Sequence, residues 1–421
     1  MPMTYRPLND GSLTAVLAEV PAVNDLLGGD SLAWNVQEVG DGNLNLIFII
    51  KSQKAGVVVK QALPYVRLVG ESWPLPLSRS HYEHMALTEQ AKHAPKLVPK
   101  VYHYDRTLAM IVMEYLSPHI IMRKGLIRGI EYPLFAGHIA EFMAQTLFNT
   151  STLATTAAEH KRRIWSFADN TELCKITEDL VFTDPYRVAK LNRWTVPFLD
   201  ETAAQFRNDE PLKVAVQRRK LQFMSSAEAL IHGDLHTGSI MLTPADTRVI
   251  DPEFAFVGPM GFDVGAVIGN LLIAYYSQDG HEPRVYARSP YRTWILGQVE
   301  QVWRLFSRRF LELWDKSTTG DAYMPALFAQ PEGAAVFTAE KQRFMRNLFV
   351  DTAAFAGIKM IRRILGLAHT EDLESIQDPA MRAKCEIKAL TLARRLVLDA
   401  ERLTGITDVT SAARAVHASK D

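Results

Sequence analysis

The chain has 421 residues, 48% of them apolar, which is enough to build a sizeable core in two domains or in one domain of two lobes. Its 47 Lys and Arg balance 47 Asp and Glu, and this zero formal charge argues against a general nucleic-acid or membrane-surface binder. Cys174 and Cys385 follow no metal-ligand spacing and read as free, structural thiols of a reducing compartment. The first eleven residues lack an apolar signal core. The longest apolar run, Val264 to Tyr276, is interrupted by Asn270 and is too short for a bilayer, so a soluble, cytoplasmic protein is expected.

The strand signals lie in the first 116 residues. Leu44 to Ile50 is apolar and ends at Lys51. Gly56 to Gln61 is β-branched and suits a central strand, and Leu108 to Met113 is a third candidate. Between them, Ser78 to Lys92 reads as a helix with Ser78 or Ser80 as its cap and with Glu83 and Glu89 on it, ended by Ala94-Pro95 and Val98-Pro99. From Tyr132 the pattern turns helical, with Phe135, Ile139, Phe142 and Met143 at helical spacing. Ala339 to His369 predicts a long helix whose broad apolar face carries Phe344, Leu348, Phe355, Ile358, Ile361 and Leu365, weakened by Gly357. Gly280 to Pro290 and Thr318 to Gly333 read as surface loops.

The most specific stretch is Ile231-His232-Gly233-Asp234-Leu235-His236-Thr237-Gly238-Ser239, followed by Val249-Ile250-Asp251-Pro252-Glu253-Phe254. Two apolar lead-ins each deliver acids to a loop. Phosphoryl transfer needs one carboxylate to orient or deprotonate a hydroxyl, and others to hold the magnesium that neutralises the phosphates. Asp234 suits the first task. Asp251 and Glu253 suit the second, and an extended backbone would point both at one ion. His232 reads as a loop stabiliser, and His236 as either a structural histidine or a substrate contact. A metal-hydrolase reading of the alternating His232, Asp234 and His236 would need further histidine ligands, which do not cluster elsewhere.

Weaker signals fit the same chemistry. Gly40-Asp41-Gly42-Asn43 could fold over a nucleotide or form an ordinary hairpin turn. Lys60 ends the central strand and could reach phosphate oxygens while paired with Glu83, or be a solvated lysine. Met113-Glu114-Tyr115-Leu116 could present its backbone to an adenine edge, or simply end a strand. Arg362 and Arg363, with Arg346 in support, could grip a sugar or a transferring phosphate. Taken alone, they read more simply as a solvated basic helix face. The fold expected is α+β: a two-lobed protein-kinase-like plan with a β-rich nucleotide-binding lobe at 1–116, a junction near Glu114 to Ser117, and a mainly helical lobe at 117–421.

These residues look like the aminoglycoside phosphotransferase and choline kinase group. The loop 232–239, with Asp251 to Phe256 and Gly258 to Asp263, resembles more narrowly the 5-methylthioribose kinases. The looser group carries Asn as a metal ligand where this chain has Ser239. The narrower family shares the departure, and Glu253 is placed to supply the missing oxygen. The resemblance spans most of the chain and implies ATP-dependent phosphorylation of the C1 hydroxyl of 5-methylthioribose in methionine salvage. It implies Asn43 and Lys60 on ATP, the Glu114, Tyr115 and Leu116 backbone on adenine, Asp251, Pro252 and Glu253 as a cofactor-binding loop in which Asp251 and Glu253 hold Mg2+, and Asp234 as base. It further implies Arg362 or Arg363 on the sugar, a Trp73 loop closing near substrate, an apolar pocket for the methylthio group, and a homodimer. A kinase for choline or an aminoglycoside, or a silent pseudokinase, are the alternatives.

Overall fold

The structure, a computed structural model, describes residues 4–40, 44–66 and 70–419. Among the described residues seven strands lie before Tyr115: β1 (Asn35–Glu38), β2 (Asn45–Lys51), β3 (Gly56–Ala62), β4 (Tyr65–Val66), β5 (Gly70–Pro74), β6 (Val101–Asp105) and β7 (Met110–Glu114). Five of them form an antiparallel sheet of order β1-β2-β3-β7-β6, with β4 and β5 a separate ribbon. β3 is thus central, and Lys60 lies in register between Ile47 and Ile111. Strand side chains alternate between faces. Val57 and Val59 are buried on one face with Phe48, Ile50, Met110 and Val112. Lys60 emerges on the other, toward the helix Arg79–His93.

Two helices that the strand-centred reading of this region did not anticipate, Asp10–Ala18 and Pro21–Leu27, cover the apolar face with Leu13, Leu17, Val23 and Leu27. Their signals are local. Asn9 and Ser12 form a reciprocal capping box, and proline opens the second helix. The helix after β5 starts at Arg79, with Ser78 at the cap position but making no side-chain cap bond; Ser80 bonds back to the Leu77 carbonyl instead. Leu108 and Ala109 are a turn rather than strand, because Ala109 has φ 50°.

The remainder is mainly helical. Its axis is Met260–His281, 22 residues long and buried as far as Gln278. By length and composition this helix could cross a membrane, so the run-length argument above does not hold. Its apolar window is instead 100% buried inside the protein, as in a core helix. Gly265 and Gly269 let the helix Pro331–Leu365 press against it, since a Cβ at either would meet the Thr352 or Ala356 carbonyl oxygen at 2.7 Å. That long helix begins at Pro331 rather than Ala339, and stops at Leu365 because Gly366 turns extended. Gly357 does not weaken it: a side chain there would strike the Ala393 carbonyl of the neighbouring helix Pro379–Leu398. The two expected surface loops shrink accordingly, since Gly280 and Ser289 are helical and so are residues 331–333.

Short strands frame the two acid-bearing loops. β8 (Ile120–Ile121), β10 (Ile240–Leu242) and β11 (Thr247–Val249) form one sheet, and β9 (Ala229–Ile231) pairs with β12 (Phe256–Gly258). Residues 232–239 therefore span β9 to β10, and residues 250–255 span β11 to β12. Gly233 is where they touch. Its φ of +83° suits glycine, and a Cβ would lie 2.2 Å from the Phe254 carbonyl oxygen.

Candidate active site

One corner of the site is acidic. Lys60 Nζ lies 2.7 Å from Glu83 Oε2 and also pairs with Asp251. Glu253 Oε2 accepts from Asn45 Nδ2 at 3.1 Å and lies 3.5 Å from Arg79 Nε. Arg79 is fully buried, and its remaining N–H groups donate to Asn45 Oδ1 and to the Leu44, Leu63 and Pro76 carbonyls. Asn170 Nδ2 holds the loop from behind through the carbonyls of Glu253 and Ala255. Glu83, Asp251 and Glu253 each offer an oxygen within 4.8 Å of the others. The expected extended backbone is not how this happens. Asp251 sits at φ +69°, and a left-handed turn brings its carboxylate round.

Three carboxylates thus face two cations. Burial would pull the Lys60 ammonium down, but Asp251, Glu83 and Glu253 outweigh it and hold it above its ordinary range. Burial pushes Glu83 and Glu253 up, and the neighbouring carboxylates add to the push. A hard divalent cation fits this donor set: the ligands are all oxygen, and the corner is short of positive charge.

The other corner is basic. Asp234 Oδ1 accepts from Lys359 Nζ at 3.0 Å, while Oδ2 lies 3.3 Å from His236 Nε2 and 3.8 Å from Arg363 Nη2. His236 Nδ1 accepts the Gly238 amide at 2.8 Å and faces Arg123 Nη2 at 3.3 Å. Those partners assign its proton to Nε2, directed at the acid. Arg123 Nε is 3.1 Å from Asp372, whose carboxylate also takes the Thr370 hydroxyl. Burial would raise Asp234, but Lys359, His236 and Arg363 hold it well below the usual carboxylate range. Burial lowers His236 to about 3 and Lys359 to about 8.

The loop is fixed by its first residues. Asp263, in the first turn of the core helix, accepts the His232 and Gly233 amides at 2.6 and 3.0 Å. His232 Nε2 meets the Ile250 carbonyl at 2.9 Å, tying the two loops together. His232 is therefore the loop stabiliser expected. Among the described residues no metal-type cluster joins it to Asp234 and His236.

Arg362 and Arg363 are buried, 7% and 6% exposed, and do not form the solvated face that their sequence context favoured. Among the described residues Arg362 Nε and Nη1 and Arg363 Nε have no hydrogen-bond partner. Arg346 does not join them. It binds the Glu401 carbonyl and stacks on Phe349, about 24 Å further along the same helix at 1.5 Å per residue. Trp73 packs in a small apolar cluster with Leu75, Leu173 and Phe254, beside the metal-type loop. The Glu114 amide donates to the Lys100 carbonyl and its carboxylate meets Arg248. Pro252 is buried, its carbonyl taking the Ala255 amide. Asn43 lies outside the described residues.

Sequence reasoning missed Lys359, Arg79 and Asn45. Lys359 had a signal: positions 359, 362 and 363 share one helix face. Arg79 and Asn45 had none, since their roles come from contacts across the chain.

Sheet, junction and paired acidic loops belong to phosphotransferases of the kinase-like class, and the profile of the phosphotransferase enzyme family matches residues 35–295. Methylthioribose kinase 1 of rice (Oryza sativa subsp. japonica) is 48% identical over 96% of this chain and 94% of its own length. A methylthioribose kinase of Escherichia coli is 45% identical over 98% and 99%. The chain belongs to the methylthioribose kinases. Among solved structures, a glucosamine kinase in complex with glucosamine, ADP and inorganic phosphate is similar at a TM-score of 0.48 and 14% identity, over 90% of this chain and 84% of that one.

Proposed function

We propose that this chain transfers the γ-phosphoryl group of ATP to the C1 hydroxyl of 5-methylthioribose, giving 5-methylthioribose 1-phosphate for methionine salvage. The near full-length identity to methylthioribose kinases supports the substrate. The observation that carries the chemistry is an ionised carboxylate, Asp234, facing a buried cluster of cations opposite an oxygen-lined acidic corner. Lys60, aimed by Glu83, would hold α- and β-phosphate oxygens, and the backbone near Tyr115 and Leu116 would meet the adenine. Asp251 and Glu253 would hold magnesium, which when bound neutralises charge on the phosphates. Asp234 would align the sugar hydroxyl and accept its proton. The unpartnered N–H groups of Arg362 and Arg363 would meet the sugar oxygens or the charge spreading on the transferring phosphoryl.

The cation excess around Asp234 speaks against choline or an aminoglycoside, whose positive charge would be repelled there. The test is coupled ADP release with ATP, magnesium and 5-methylthioribose, ribose, choline or kanamycin in turn. Turnover confined to 5-methylthioribose is expected. Turnover only with choline or kanamycin would overturn the substrate, and binding of ATP without turnover would leave a nucleotide-binding pseudokinase.

A further inference from the structure

The two oxygens of Asp234 are not held alike. Oδ1 takes a full hydrogen bond from Lys359 at 3.0 Å, whereas Oδ2 has only longer approaches, His236 at 3.3 Å and Arg363 at 3.8 Å. Lys359 is 2% exposed and its ammonium lies over the Phe262 ring, 4.1 Å from the centroid. A lysine so deeply buried is costly unless it is paired. Here the core helix supports it from below with an aromatic face, and the partner it is given is the acid of the catalytic loop.

We infer that Lys359 is a positioning residue for phosphoryl transfer: it pins Asp234 through Oδ1 and so presents Oδ2 to the attacking hydroxyl. The inference rests on Asp234 being the base. As the C1 oxygen bonds to the γ-phosphorus and the bond to the bridging oxygen of ADP breaks, the hydroxyl proton passes to Asp234 Oδ2. Lys359 keeps all its N–H bonds throughout. Its charge makes a protonated Asp234 unfavourable, so the proton moves late and is shed readily afterwards. That timing suits a loose transition state, in which orientation matters more than early deprotonation.

The charges facing Lys359 come from each element packed on it. They are Asp234 and His232 from the catalytic loop, Asp263 from the core helix, and Arg362 and Arg363 from its own helix. Among the carboxylates of the described residues, Asp234 is the one that bonds it. Two pH effects follow. Without the lysine, Asp234 loses a large opposing charge, and the pH below which it is protonated rises. In the unaltered chain, raising pH through about 8 removes the ammonium proton, releases Oδ1 and lowers the rate.

The experiment is the pH profile of kcat and kcat/KM for the unaltered chain, Lys359→Met, Lys359→Arg and Asp234→Asn, with 5-methylthioribose and ATP. Lys359→Met should lower kcat by about 10²-fold, the typical consequence of a misplaced reacting group. It should leave the KM for ATP within about 2-fold and move the acid limb up by about one pH unit or more. Lys359→Arg should restore most of kcat and abolish the fall above about pH 8. An unchanged acid limb with near-parent kcat in Lys359→Met would overturn the inference. Should Lys359→Met fail to fold, Lys359→Gln takes its place, and an acid limb that does not move would overturn the inference. Near-parent turnover by Asp234→Asn would show that the underlying reading of the base had failed, whatever Lys359→Met does.

Discussion

The two corners of the site bury carboxylates of similar chemistry and push them in opposite directions. At the acidic corner Glu83, Asp251 and Glu253 crowd two cations, Lys60 and Arg79, and burial and mutual repulsion raise Glu83 and Glu253. At the basic corner Asp234 and Asp372 face Lys359, Arg362, Arg363 and Arg123, and Asp234 is lowered although burial works against its charge there too. Burial therefore does not decide a carboxylate's role; the count of neighbouring charges does. The first corner lacks a cation and the second lacks an anion. A magnesium-bound phosphate lying between them would satisfy both, and it would be polarised toward the basic corner while it transfers.

The comparison breaks most completely at Asp234. Asp234→Asn removes the carboxylate charge that pairs with Lys359 while nearly preserving shape. Turnover should fall by about 10²–10⁴-fold, the usual contribution of a general base. ATP binding, set by the other corner, should be little changed. Single-turnover kinetics beside ATP titration would show whether the two corners separate in this way. The reciprocal change, Glu253→Gln, removes a negative charge from the corner that has too many. The magnesium needed for half-maximal rate should rise about 10- to 100-fold, typical of weakened metal sites, with a smaller effect on 5-methylthioribose affinity. An unchanged magnesium requirement would show that Glu253 is only Arg79's structural partner.

Much of this arrangement was legible in the sequence, but unevenly. Lys60, Glu83, Asp234, Asp251 and Glu253 could be named because each sits on a local pattern: a β-branched strand, a helix, or an apolar run ending in acid. The charge environment could not be read, because Arg79 reaches Glu253 and Lys359 reaches Asp234 from distant segments. The same limit explains the arginines. Arg362 and Arg363 look like a solvated face until the fold buries them, and Arg346 looks like their ally until helix length carries it away. The turn at Asp251 was hidden too, since a positive φ at a non-glycine residue is imposed by tertiary contacts. The core helix shows a further limit. Its apolar run has the composition of a membrane span, and only its surroundings reveal that it is buried inside the helical lobe.

The loops that carry the two corners meet at Gly233, so a change there should disturb both at once. Gly233→Ala would place a methyl 2.2 Å from the Phe254 carbonyl at φ +83°, a conformation and a contact that both resist it. The strain should cost about 1–3 kcal/mol and lower Tm. Unlike Asp234→Asn or Glu253→Gln, it should impair magnesium activation and kcat together. A variant that lost only one of these would show that the loops move independently despite the contact.

The smallest effect should come from Arg346, which marks where the basic corner ends. Its guanidinium donates to the Glu401 carbonyl at 2.8 Å and leans on Phe349, tying the long helix to the segment at Ala400–Arg402. Arg346→Ala removes one hydrogen bond to a partly exposed carbonyl, worth about 1 kcal/mol. Thermal unfolding should report that loss, while kcat and the KM for 5-methylthioribose stay at the parent values, because Arg346 lies about 24 Å along the helix from Arg362 at 1.5 Å per residue. A selective rise in that KM would place Arg346 in the sugar pocket. The long helix would then have to bend or shift by more than its packing against Gly265 and Gly269 allows, since neither glycine leaves room for a methyl group.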